Sequence, residues 1–267
     1  AAATAAAITT GAGADYVIFK DTQNLDGDIY TNSGNDSLQF LKNADIALAL
    51  LGAGNDSVYG AQIIDESSIK GEAGQDTFLV STLSNSLIEG GDDRDSVVVT
   101  GSLQGSTIDF GAGNENFTLS VGATNTSIDG GAGNDTFVVT ASNLQTSSTI
   151  AGGAGNDSVT FAGDLSGGTV AGGAGEDTLN FSAGVNNSAF VSADAGTDLV
   201  LFYGTVANSS VEGGAGNDTL SFAKAVSRAS IHGGADIDSF SFAGAISNST
   251  VDFGAGAELA TFSVAVS

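Results

Sequence analysis

The chain has 267 residues, of which 39 are glycine and none is proline, cysteine, methionine or tryptophan. Its 31 acidic residues outnumber 6 basic ones and give a net charge of −25. This charge repels nucleic acid and anionic lipid, so neither is an expected partner. The lack of cysteine excludes disulfides and thiolate metal sites, and no apolar run reaches the roughly 18 residues of a transmembrane helix.

A six-residue phrase, G-G-A-G-N-D, recurs along the whole chain. It stands intact at Gly130–Asp135, Gly152–Asp157 and Gly213–Asp218, and as G-G-A-G-E-D at Gly172–Asp177. Looser copies bring the total to thirteen, spaced 19 to 22 residues apart. The acids that close them are Asp15, Asp36, Asp56, Asp76, Asp95, Glu115, Asp135, Asp157, Asp177, Asp198, Asp218, Asp238 and Glu258. So regular a period predicts a solenoid.

In chain order, each unit predicts a strand, the glycine-rich loop, a second strand and a turn. The first strand is centred seven residues before the acid, at Ile8 in the first unit and Val251 in the last. The second strand follows the acid directly and alternates apolar with polar residues, as in D-T-L-S-F at Asp218–Phe222, which is the period of a strand. Equal periods align equal residues, so neighbouring units are expected to pair in parallel and in register.

These elements predict an all-β fold, a right-handed parallel β-solenoid (β-roll or β-helix) of about 13 coils of about 20 residues. The hand follows the preference of parallel crossovers. Residues 1–267 are expected to form a single continuous domain. The first and last units break off at nearly the same phase of the repeat, which predicts either a section of a longer array or subunits stacked end to end.

The loop phrase resembles the calcium-binding repeat of RTX (hemolysin-type) proteins, G-G-x-G-x-D-x-U-x, where U is a large apolar residue. In Gly213–Leu220 every constrained position matches. The resemblance implies Ca2+ between successive loops, held by the closing aspartate and by backbone carbonyls that glycine frees to turn towards the ion. RTX rolls carry loops on both edges, whereas this chain has one loop per coil. Calcium is therefore expected along one edge, in up to about twelve gaps.

The resemblance implies a set of metal-site residues. The carboxylates are those of Asp15, Asp36, Asp56, Asp76, Asp95, Asp135, Asp157, Asp177, Asp198, Asp218 and Asp238, and the loop glycines are Gly131, Gly133, Gly153, Gly155, Gly173, Gly175, Gly214 and Gly216. The asparagine before the acid, as at Asn134, is expected to point outward and is not counted as a ligand.

Several loops depart from the phrase, and weaker or empty sites are expected beside them. Glu115 and Glu258 replace the aspartate, Arg94 lies next to Asp95, and Asp236 stands where glycine is usual. The first glycine is also missing from the loops that close at Asp36 and Asp56. The opposite edge lacks the glycine phrase and reads A-V-S-R-A-S-I at Ala225–Ile231. Packing and Ser/Asn hydrogen bonds are expected to hold it.

Catalysis is not expected, because the chain has a single histidine, His232, at an outward position, and its repeated carboxylates single out no catalytic pair. Three functions fit the sequence. The first is a secreted calcium-binding structural protein of a bacterial cell surface, such as an S-layer, fibril or sheath component, which self-associates end to end or binds other surface proteins. The second is the RTX section of a type I-secreted adhesin, toxin or hydrolase.

The third function is that of an ice-binding adhesin rod. The one-loop layout also resembles the calcium-bound ice-binding section of large bacterial adhesins, which use an outward row of Thr and Asx in the loop. In this chain the place of the threonine is taken by alanine, at Ala132, Ala154, Ala174 and Ala215, so only the asparagine half of that row is present.

Overall fold

The computed structural model describes residues 7–21, 23–140, 144–145 and 147–263, with residues 23–26 described by their backbone alone. The fold is an all-β parallel β-solenoid, as predicted, and the described residues contain strands and turns but no helix. None of them therefore forms a helix that could cross a membrane. The right-handed sense of the coil stays a prediction.

The chain divides into two compact units. Unit 1 comprises Ala1–Val121 and Asn125–Ala132, and unit 2 comprises Gly122–Thr124 and Gly133–Ser267. The single continuous domain expected over 1–267 stays a prediction.

Each acid is followed by a strand, as the alternating pattern predicts. These loop-following strands are Tyr16–Phe19, Ser37–Phe40, Ser57–Asp65, Thr77–Ser84, Ser96–Val99, Asn116–Leu119, Thr136–Val139, Ser158–Phe161, Thr178–Phe181, Leu199–Phe202, Thr219–Phe222, Ser239–Phe242 and Leu259–Phe262. They alternate buried and less buried residues because successive side chains of a strand point to opposite faces.

A second set of strands leads into the loops. These loop-preceding strands are Ile8–Thr9, Gln23–Tyr30, Ala44–Ala53, Ser68–Ala73, Leu87–Asp92, Thr107–Ala112, Ser127–Ala132, Thr149–Ala154, Thr169–Ala174, Phe190–Ala195, Ser210–Ala215, Ser230–Ala235 and Thr250–Asp252. Short strands lie at the opposite edge, at Leu103–Gln104, Ala123–Thr124, Leu165–Ser166, Val185–Asn186, Val206–Ala207, Val226–Ser227 and Ile246–Ser247.

Pairing within each unit is parallel and in register, which confirms the expectation from the equal periods. In unit 1, Ile108 pairs with Ile88 and with Ile128. In unit 2, Phe181 pairs with Phe161 and with Phe202. In-register pairing stacks identical positions, so each column of the repeat becomes one row of the core.

The core of unit 2 shows the effect of this stacking on aromatic side chains. Ring centroids lie 5.4 Å apart for Phe161–Phe181, 5.1 Å for Phe181–Phe202 and 4.9 Å for Phe202–Phe222, with interplanar angles of 9 to 18°. These rings are at most 1 % exposed. The spacing of the rings follows the spacing of parallel strands, about 4.8 Å. The aromatic stack therefore holds neighbouring coils, and with them neighbouring loops, at this spacing.

Serine side chains hold the edge opposite the loops, as expected. The backbone N–H of Ser67 donates to Oγ of Ser86 (3.0 Å), and that of Ser86 donates to Oγ of Ser106 (3.1 Å). Oγ of Ser86 in turn donates to the carbonyl of Ser84 at 2.6 Å. The hydroxyls of Ser86 and Ser106 thus each satisfy one buried amide of the coil before them.

Candidate metal sites

The closing acids form a buried row along the loop edge of each unit. The aspartate side chains of the row are at most 2 % exposed from Asp36 onward. In unit 2, the backbone N–H of Asp157 donates to Oδ1 of Asp177 at 2.7 Å, and the N–H of Asp198 donates to Oδ1 of Asp218 at 3.0 Å. The same bond joins Asp36 to Asp56 in unit 1 at 2.7 Å. At each of these acceptors, one carboxylate oxygen is therefore bonded to the loop before it.

The second carboxylate oxygen has no such bond. Oδ2 is buried without a hydrogen-bond partner in the described part of the chain at Asp15, Asp36, Asp56, Asp76, Asp95, Asp157, Asp177, Asp198, Asp218 and Asp238. A buried anionic oxygen without a partner is strongly unfavourable unless a cation or a proton compensates its charge. The row therefore contains one buried carboxylate charge without a compensating positive charge in nearly every coil.

The electrostatics of the row follow from this geometry. Burial, with a smaller contribution from neighbouring carboxylates, raises the pKa of Asp76, Asp95, Asp157 and Asp198 to about 7, although the backbone N–H bonds act in the opposite direction. Burial also raises the pKa of Asp56, Asp177, Asp218 and Asp238. At a coil spacing of about 4.8 Å, two adjacent charges repel by about 3 kcal/mol at an effective dielectric constant of 20.

Backbone carbonyls line the same gaps between loops. In the gap between Gly152–Asp157 and Gly172–Asp177, a Cβ added at Gly173 would overlap the carbonyl oxygen of Gly153. One added at Gly175 would overlap the carbonyl of Gly155. At Gly152, an added Cβ would meet both the carbonyl of Gly172 and Oδ2 of Asp157. The missing side chains therefore leave a space that is bordered by main-chain and carboxylate oxygens.

Left-handed backbone explains why glycine occupies these places. The φ angles are positive, between 90° and 141°, at all eight glycines predicted for the site. These are Gly131, Gly133, Gly153, Gly155, Gly173, Gly175, Gly214 and Gly216. Residues with a Cβ resist this conformation, which here orients carbonyl oxygens of one loop towards the next.

The donor set fits a hard cation. The polar atoms that border the gaps include carboxylate and carbonyl oxygens, and Ca2+ prefers six to eight oxygen ligands in a tolerant geometry. The described residues hold no group of three or more His, Cys, Asp or Glu side chains that would bind a metal by themselves. An ion between two loops would therefore depend on main-chain carbonyls together with the acid row, as the resemblance implies. The number of such ions stays a prediction.

Two features of the loop edge were not predicted. The asparagine before the acid is exposed, as expected, but it also bridges coils, because Oδ1 of Asn156 accepts the N–H of Glu176 at 2.9 Å and Oδ1 of Asn134 accepts that of Asn156 at 2.8 Å. Glu258 keeps the bond of the acid row, since its Oε2 accepts the N–H of Asp238 at 3.0 Å. The longer side chain thus preserves the link between loops.

Four segments of the chain match the family model of the RTX calcium-binding nonapeptide repeat, at residues 118–141, 147–164, 169–187 and 201–223. No curated protein matches the sequence significantly. The fold is similar to that of a hyperactive, Ca2+-dependent, β-helical antifreeze protein from an Antarctic bacterium, seen in a crystal structure. The TM-score is 0.67 at 21 % sequence identity, over 93 % of this chain and 80 % of that one.

The fold and the loop edge define the class of this protein as a parallel β-solenoid with carboxylate and carbonyl oxygens lined up between its coils. Within that class, four segments between residues 118 and 223 match the RTX calcium-binding repeat.

Proposed function

We propose that this chain is a secreted calcium-binding structural protein of a bacterial cell surface, in which Ca2+ between successive loops stiffens the solenoid. The observation that carries the proposal is the row of buried carboxylate oxygens without hydrogen-bond partners, one in nearly every coil. The matches to the RTX calcium-binding repeat support calcium as the ion.

The charge of the chain supports a role for many ions. A net charge of −25 is concentrated on a protein with only 6 basic residues, so the compact state repels itself. About twelve divalent cations would supply roughly the opposite charge. Calcium then acts as the cross-link of a chain that has no cysteine for disulfides, and its binding free energy becomes folding free energy.

A surface assembly would use the solenoid as a rod, either joined end to end or bound to other surface proteins. The alternative is that the chain is the RTX section of a larger type I-secreted adhesin, toxin or hydrolase. In both cases the calcium-dependent folding is the same, because it depends only on the loop edge. The products of assembly distinguish the two functions, since only a surface structural protein is expected to form filaments or sheets from this chain alone.

The test is a calcium titration of chelator-treated protein, followed by far-UV circular dichroism, by a count of bound ions and by electron microscopy. We expect a gain of β signal as several ions bind, and then ordered filaments or sheets. A β signal that forms fully without calcium and binds no ion contradicts the calcium role. Calcium-dependent folding to a lasting monomer contradicts the assembly role and favours the RTX-section alternative.

Ice binding is a second candidate, favoured by two regular exposed rows at the loop edge. In unit 2, Ala154 pairs with Ala174 and Ala215 pairs with Ala235, and these methyl groups alternate with exposed asparagines such as Asn156 and Asn217. The similar fold of the antifreeze protein supports the idea. Thermal hysteresis in calcium would support ice binding, and its absence in folded, calcium-loaded protein would exclude it.

A further inference from the structure

Five loop positions with left-handed backbone carry a side chain where the other loops have glycine. They are Asn32, Glu72, Asp93, Asp194 and Asp236, with φ between 71° and 78°. All five side chains end in an oxygen that can bind a cation, and four of them are acids. Asparagine and aspartate tolerate this backbone better than other residues, which explains part of the pattern. It does not explain why four of the five residues are acids, next to a row of carboxylates that already repel one another.

Two of these departures, Asp93 and Asp236, stand two residues before the closing acid, and of the two only Asp236 has no arginine or lysine adjacent to it in sequence. It occupies the fourth place of the loop phrase. At that place in other loops of unit 2, a Cβ added at Gly155, Gly175 or Gly216 would overlap the carbonyl oxygen of the preceding loop. The fourth place of a loop therefore faces the preceding loop, so Asp236 stands on the side of its loop that borders the gap with Gly213–Asp218.

The same gap holds an independent sign of a ligand. Oδ1 of Asp238 accepts the N–H of Asp218 at 2.9 Å, so the Asp238 carboxylate reaches into the gap. Oδ2 of Asp218 borders the same gap, because a Cβ added at Gly213 would meet both this oxygen and the carbonyl of Gly233. This Oδ2 is buried without a hydrogen-bond partner among the described residues, and Asp218 is 1 % exposed. Asp236 adds a further carboxylate, on an exposed side chain, to the loop that borders this gap.

We propose that Asp236 is an additional calcium ligand, and that the gap between Gly213–Asp218 and Gly233–Asp238 binds Ca2+ more tightly than gaps with glycine at this place. The inference rests on the proposed calcium function and reverses the expectation from the loop phrase that this departure weakens the site. Calcium affinity rises with the number of charged oxygen ligands, and Asp236 adds a carboxylate to those of Asp218 and Asp238, whereas an ordinary gap has only the two closing acids.

The test uses tryptophan, which the chain lacks. Ile237→Trp places a sensitiser at an exposed position directly beside Asp236, where the native side chain is 55 % exposed. Terbium, a calcium mimic, is titrated into this background, and Ca2+ is then used to displace it. Glu176→Trp, at the matching exposed place three loops away or about 14 Å along the stack, reports on ordinary gaps.

Asp236→Asn keeps a residue that tolerates left-handed backbone and removes the charge, while Asp236→Gly restores the ordinary phrase. We expect both to weaken calcium and terbium binding about tenfold at the Ile237→Trp reporter, with no change at the Glu176→Trp reporter. Glu212→Gln is the charge-matched control, because Glu212 is exposed on a strand of the same unit and lies outside the loops. It is expected to change neither reporter.

The outcomes distinguish the role of Asp236 from the calcium function of the loop edge. If terbium and calcium bind at both reporters but both Asp236 variants stay within about twofold of the background, Asp236 is a backbone-tolerant substitution and the inference is wrong. An equal loss at both reporters also overturns it, since a global change of stability then explains the effect. If neither reporter binds either ion, the proposed calcium function itself fails, and the inference with it.

Discussion

The backbone N–H of Asp177 donates a hydrogen bond to Oδ1 of Asp198 at 2.8 Å, while Oδ2 of Asp198 is buried without a hydrogen-bond partner in the described part of the chain. One oxygen of the carboxylate thus joins two loops, and the other carries charge that the protein leaves uncompensated. Because the first contact needs only an acceptor and the second needs a cation, the two roles can be separated by mutation.

Asp198→Asn is expected to change stability with opposite sign in calcium and in chelator. The asparagine oxygen still accepts the N–H of Asp177, but the anionic ligand is gone. In calcium, the free energy of unfolding should fall by about 3 kcal/mol, as when one partner of a buried charge pair is removed. In chelator it should rise, because one repelling charge leaves the row. Denaturant unfolding in both conditions measures the two effects.

Glu176→Gln is the matched control for this substitution, because it removes the same charge from an exposed side chain next to the row. It should change stability by less than about 0.5 kcal/mol in either condition. A loss of stability for Asp198→Asn that is equal in calcium and in chelator would show that the carboxylate is needed for packing and not for a cation.

The pH dependence of stability should reverse when calcium is removed. In chelator, the pKa of Asp157 in the folded state is about 7, above its ordinary value of 3.8. The folded state then binds more protons than the unfolded state, so this stabilisation is complete below about pH 4 and is lost as the pH rises through 7. Asp76, Asp95 and Asp198 behave alike.

With calcium present, protons compete with the ion for the same carboxylates, so stability should instead increase from about pH 4 to pH 7. Thermal unfolding across this range, with and without calcium, measures both slopes. A slope of the same sign in the two conditions would mean that the row is not where calcium binds.

The repeat predicted most of the fold because a constant period leaves little freedom. Once each unit has the same length, residues such as Phe161 and Phe181 must stack, and the acids must form a row. The register of the strands next to the acids therefore follows from the positions of the acids, whereas the register shifts between Leu25 and Asp28 and between Gly60 and Ile63 do not. What the period does not contain is the orientation of a side chain inside its loop.

The candidate site shows this limit. Spacing placed Asp157 next to Asp177 but did not indicate which oxygen accepts the N–H and which stays without a partner. It placed Asn156 outward but missed its bond to the next coil. The sequence does contain a signal for the asparagine bond. When asparagine stands at the same place in each loop, the backbone N–H at that place in the next coil lies one strand spacing away, within reach of its side chain.

Gly175→Ala should destabilise the protein, because φ is 135° at Gly175 and the new Cβ would overlap the carbonyl oxygen of Gly155. A strained left-handed residue costs about 1–3 kcal/mol, and the lost space between the loops should add to this loss in calcium. Ala174→Ser, one residue away at an exposed position, should leave stability unchanged. Equal stability of the two variants would contradict the arrangement of the loop.

Asn156→Ala should lower stability slightly and equally in calcium and in chelator. Oδ1 of Asn156 accepts the N–H of Glu176 at 2.9 Å at the exposed edge, and a bond of this kind contributes about 0.5–1.5 kcal/mol. Because the side chain lies outside the buried row, the number of bound calcium ions and their affinity should stay the same. Denaturant unfolding together with calorimetric calcium titration measures both quantities. Asn156→Asp keeps the acceptor and should restore stability. If Asn156→Ala instead loses a bound calcium ion, Asn156 is a ligand, and its assignment to a purely hydrogen-bonding role at the exposed edge is wrong.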